Sequence, residues 1–169
     1  MADLYSQRVN QTLAFAQYAL GGINNESSND FPNRMKLRGL QEAALFHLDS
    51  AYKAYLNELA ESERVLLTQA TLSELSQVFQ QQAITSSELD EMALLCQDSS
   101  SWLFKMISAN KSIHKPLLPQ QETASQSEIA IKDLAKESTL EEQLETQLQG
   151  WFEQLRAMIQ RHRSNAQEW

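Results

Sequence analysis

A chain of 169 residues with 4 glycines, 3 prolines and much Gln, Glu, Leu and Ala can bury one core, and it argues for helices and against sheets. A net charge of −8 repels phosphate backbones and argues against nucleic-acid binding. Cys96 is the one cysteine, so an intrachain disulfide is excluded and a reducing, cytoplasmic compartment is expected. No stretch approaches the ~20 apolar residues of a membrane span, and the run 13–20, broken by Gln17, does not read as a signal peptide.

The spacing predicts a first helix over 3–20. Asp3 would cap it, Val9, Leu13, Ala16 and Leu20 would form its stripe, and Gly21-Gly22 would end it. Arg8, Asn10 and Gln11 are polar positions that either line a groove or bond to solvent and a neighbouring helix. A polar loop over 21–33 follows.

The central stretch is 34–60, entered at Asp30-Phe31-Pro32. Leu37, Leu40, Ala44, Leu48, Ala51, Tyr55 and Leu59 share one helical face, and Phe46, Tyr52 and Leu56 widen it. So wide a face belongs in the middle of a bundle. Gly39 marks a place where a neighbouring helix could come close. Arg38 can pair with Glu42 at i, i+4, or its cluster with Arg34 and Lys36 can hold an anion. His47 lies on the apolar side. It reads as a ligand or base facing a pocket, or as a neutral histidine satisfied by the next helix. The absence of His or carboxylate at i±3 and i±4 favours the second reading.

Residues 61–70 connect to a helix over 71–82 that opens with a Thr71/Glu74 capping box. Ser87 opens the next helix, which Ser99-Ser100-Ser101 would bend. Cys96 falls on its apolar side and reads as a small core residue. Residues 111–138, with two prolines and little periodicity, read as a loose linker that contains His114. The last helix is expected over 139–164, capped by Thr139 and Glu142. Leu148, Trp151, Phe152, Leu155, Ile159 and His162 trace its stripe. The chain ends at Glu168-Trp169.

These elements predict one all-α domain over 1–169, a four- to five-helix antiparallel bundle with a flexible linker before the last helix. There is no glycine-rich phosphate loop, HExxH, CxxC or Glu-x-x-His pair, and neither cofactor nor metal is expected. The pattern reads as a non-catalytic protein that binds a partner protein or itself. A small-molecule binder with His47 at the base of an interhelical pocket is the alternative from the residues alone.

Two resemblances add to this. LYSQRVNQTLAFAQYAL, LQEAALFHLDSAYKAYLNEL and the closing W-x-x-x-L helix resemble a family of uncharacterised helical proteins from Pseudomonas and related gammaproteobacteria, and that resemblance implies no activity. EAALFHLDSAYKAYLNEL is also similar to a helix of HEPN-type domains, many of which cleave RNA with an Arg-x(4–6)-His motif. Arg156 and His162 fit that spacing. The resemblance implies an Arg that holds phosphate and a His that works as acid or base.

Overall fold

The computed structural model describes residues 4–24, 31–67, 69–113 and 129–167, with side chains in the last stretch from Leu144 onward. The expectations for Asp3, Asp30, His114 and Trp169 fall outside these residues. The described residues are all-helical. The helices are α1 (Leu4–Asn24), α2 (Phe31–Ser62), α3 (Leu72–Gln81), α4 (Ser87–Gln97), α5 (Trp102–Ser112) and α6 (Ile129–Gln167).

That makes six helices among the described residues where four or five were expected, because the serine run breaks a helix rather than bending it. Asp98 accepts from the Ser100 amide at 2.8 Å and closes a turn. Ser101 then caps α5, accepting from the Phe104 amide at 3.1 Å, while its hydroxyl donates to the Leu95 carbonyl. Side chains have taken over backbone groups that a continuous helix would need.

The Thr71/Glu74 box forms as its spacing requires: the Thr71 hydroxyl accepts from the Glu74 amide, and the Glu74 carboxylate accepts from the Thr71 amide, both at 3.2 Å. The cap of α4 sits one residue earlier than expected. Ser86, not Ser87, accepts from the Leu89 amide at 3.2 Å, and the Ser86 hydroxyl donates to Glu88 at 2.9 Å. Helix ends lack glycine elsewhere. Arg64 and Ala83 turn the chain left-handed, at φ 57° and 55°. The amides that follow, Val65 and Ile84, reach back to the carbonyls of Ala60 and Phe79 at 2.8 and 2.9 Å.

Gly21-Gly22 does not end α1, which runs two residues past it. Gly22 instead lets α2 approach: a Cβ there would meet both Leu40 methyls at 3.2 Å. The close approach expected at Gly39 is absent, since Gly39 faces open space. The last helix starts ten residues before Thr139, so Thr139 is not its cap, and 111–112 and 129–138 are helical; most of the rest of the expected linker lies outside the described residues.

α1 and α2 pair along most of their length, and α2 also packs against α3, α5 and α6. The core joins Val9, Ala16 and Ile23 to Leu48, Tyr55 and Leu56 of α2 and to Met92, Leu103 and Met106 of α4 and α5. Leu148, Trp151, Phe152, Leu155 and Ile159 complete it from α6. Leu155 is fully buried, so its truncation to Ala removes about 2–5 kcal/mol. Phe46, read as part of the buried face, is 59% exposed, because α1 covers the other side of α2 at that level.

Candidate functional site

The densest polar cluster sits where α6 ends. Arg161, His162 and Arg163 point successively around the helix at about 100° per residue, so three neighbours in sequence reach three different helices. His162 is 3% exposed. Its Nδ1 lies 2.8 Å from the Tyr55 hydroxyl on α2, and its Nε2 lies 2.9 Å from Glu91 Oε2 on α4. A carboxylate accepts, so Nε2 carries the proton toward Glu91, and in the neutral ring Nδ1 accepts from Tyr55. Arg161 pairs with the other oxygen of Glu91. Arg163 grips Glu58 of α2 with two bonds of 2.7 Å, and donates to Asn10 of α1 at 2.9 Å.

The electrostatics follow from this packing. Burial, reinforced by Glu58 and Glu88, pushes the Tyr55 hydroxyl well above its ordinary range. Burial works against ionisation of Glu91 too, but hydrogen bonds from His162 and Arg161 and the charge of Arg161 hold its carboxyl below the usual value. Both ring nitrogens of His162 are engaged, and Tyr55 is 1% exposed. The Glu91–His162–Tyr55 line could share a proton, but it ends on a residue that is almost wholly buried. The cleft beside it holds about 140 Å³.

Arg156 is not part of this cluster. It is exposed and borders a separate cleft with Asn10, Gln17 and Phe152, whereas His162 borders the one with Tyr55 and Glu88. Six helical steps leave the two residues about 120° apart around α6. Asn10 is held by Arg163. Arg38 pairs with Glu42 at 3.2 Å, the i, i+4 partner expected. Arg8 bonds to Gln11 at 2.7 Å.

His47 is half-exposed rather than buried, and it bridges two rings. Phe15 of α1 lies 5.2 Å away and Phe46 lies 5.4 Å away between centroids. Burial, with the charge of Arg8, lowers its pKa below the ordinary imidazole value.

A larger groove of about 780 Å³ runs between α1, α2, the start of α3, and α5. His47 does not border it. Cys96 does, 3.8 Å from the Tyr52 hydroxyl, and burial pushes its thiol up. Neither the His162 cluster nor this groove was legible in advance, because their members lie far apart in sequence. A histidine in phase with an apolar stripe was the one available signal, since a buried ring demands partners from another helix.

Among the described residues no group of three or more His, Cys, Asp or Glu could hold a metal ion, and no helix is long and apolar enough to cross a membrane. The whole chain, residues 1–169, matches a family of unknown function (DUF6586), and it belongs to that family. No curated protein matches it. No solved structure does either.

Proposed function

We propose that this chain is a non-catalytic helical protein that works by docking on a partner protein, through the outer face of the α1–α2 hairpin. The observation that carries the reading is the Phe15–His47–Phe46 cluster. Three rings meet across two helices at the surface, His47 tilted against Phe15 and edge-on to Phe46, with Phe15 42% and Phe46 59% exposed. Tyr18, three residues beyond Phe15, extends the patch at 84% exposure. Met35, about three turns before Phe46 on the same line of α2, is also exposed. Aromatic side chains at a surface are the usual anchors of protein interfaces. The polar cluster at α6 supports the same reading from the other side, because its reactive groups are engaged with one another.

The test pairs capture from native lysate with light scattering, for the wild-type chain and a Phe15→Ser/Phe46→Ser variant. Recovery of one partner, or of a second copy, by the wild type and not by the variant supports the proposal. A monomeric wild type that recovers nothing counts against it. The single, half-buried cysteine supports a reducing bacterial cytoplasm as the compartment, which cell fractionation would test.

A HEPN-like nuclease is the second reading, and it would need Arg156 and His162 to meet one phosphate. Arg156→Ala is the useful variant, since Arg156 is exposed and its loss should leave the fold intact. Equal RNA integrity and growth on expressing wild type and variant would remove that reading.

A further inference from the structure

We propose that the groove between α1, α2, α3 and α5 binds a small amphipathic anion, a carboxylate or phosphate headgroup joined to an apolar body. The site is separate from the aromatic docking face and does not depend on it.

The chain carries a net charge of −8, yet among the described residues bordering this groove there is no carboxylate. The charged groups there are Arg8, Lys53 and Lys111, contributed by three different helices. Lys53 is paired with Asp49 at 2.6 Å. Arg8 bonds to Gln11, a neutral partner. Among the described residues, Lys111 has no carboxylate within ion-pair reach. On a chain with 22 acidic and 14 basic side chains, a concave site bordered by cations alone concentrates positive potential where the surroundings are negative.

The rest of the lining is apolar or carries neutral polar groups: hydroxyls, the Asn57 and Gln69 amides and the Cys96 thiol. Leu56 and Tyr52 are buried at the floor, and Phe104 and Ile107 of α5 form a wall. A ligand with one charged end and one apolar end meets both chemistries. The volume of about 780 Å³ lies inside the roughly 300–1,000 Å³ typical of small-molecule sites. A purely polar anion would leave that wall uncovered, and a neutral apolar molecule would leave the cations without a counter-charge.

Cys96 gives the site its own reporter. It is the chain's one cysteine, it borders the groove, and it is half-buried. An occupant would shield it from alkylation.

The experiment titrates the full chain by calorimetry with decanoate, decyl phosphate, decanol and decyltrimethylammonium, each below its micellar concentration. Iodoacetamide labelling of Cys96 is followed in parallel. At least one of the two anions should saturate at one per chain and slow the labelling. Decanol should bind at least about tenfold more weakly, and the ammonium should leave labelling unchanged. The better anion identifies the headgroup. An Arg8→Gln/Lys111→Gln variant should lose at least about tenfold in affinity for the anion and bind decanol as before. If neither anion binds, if decanol or the ammonium matches them, or if the variant binds the anion equally well, the proposal is overturned. Should the variant fail to fold by circular dichroism, salt decides with the wild type. Anion affinity that falls as salt is added supports the site, and salt-independent affinity overturns it.

Discussion

Two regions of this molecule are rich in basic side chains, and they treat them in opposite ways. At the end of α6, Arg161, His162 and Arg163 each meet a partner across a helix boundary: Glu91, Tyr55, Glu58 and Asn10. In the groove, Arg8 and Lys111 face a cavity with no carboxylate among its described lining residues. The chain has acid in excess, so the difference is one of placement and not of supply. Carboxylates on α2 and α4 point toward α6, and the opposite side of α2 presents Lys53. A polar group already satisfied by the fold holds helices together. One without a counter-charge is available to a ligand.

The largest effect that could break this contrast is at His162. Its replacement by Ala leaves the Tyr55 hydroxyl and Glu91 without the ring and should cost about 3 kcal/mol in urea denaturation. A loss below about 1 kcal/mol would move His162 out of the structural class. Glu58→Gln should come next, at about 2 kcal/mol, because Glu58 is largely buried and one of its two bonds to Arg163 is lost along with the charge that strengthens the other.

The legible part of the fold was the part that depends on spacing along one helix. The stripe from Leu148 to His162 and the Thr71/Glu74 box formed as read. Gly21-Gly22 misled because tertiary packing overrode its end-capping preference: Leu40 of α2 fills the space that Gly22 leaves open. The split between α4 and α5 depended on side chains of Asp98 and Ser101 capturing backbone groups, a competition that periodicity does not report. His47 was read as buried from its position on the stripe, but it is half-exposed, its ring meeting Phe15 of α1 and Phe46 of α2. Tyr55 and Glu91 could not be joined to His162 from the sequence, since the pairings span 107 and 71 residues.

Acid sharpens the comparison further. The Glu91 carboxyl is held below its ordinary value, so its contribution to stability is present above about pH 4.5 and is lost as pH falls through the lowered folded value. Urea midpoints of the wild type should therefore drop between about pH 5 and about pH 3, and Glu91→Gln should drop less over the same interval. An identical slope would mean that other carboxylates carry the acid sensitivity. The smallest effect is expected in the groove. Lys111→Gln should leave the free energy of unfolding in urea within about 0.5 kcal/mol of wild type, because no partner in the described fold loses a bond. A larger loss would show that Lys111 supports the fold after all.

The proposal that this chain acts by docking on a partner is tested most directly at the aromatic hairpin face. Capture of a specific partner, or of a second copy, should be strong for the wild type and lost in the Phe15→Ser/Phe46→Ser variant, with both melting at nearly the same temperature. Equal capture by the two, or a wild type that stays monomeric and recovers nothing, would contradict the account.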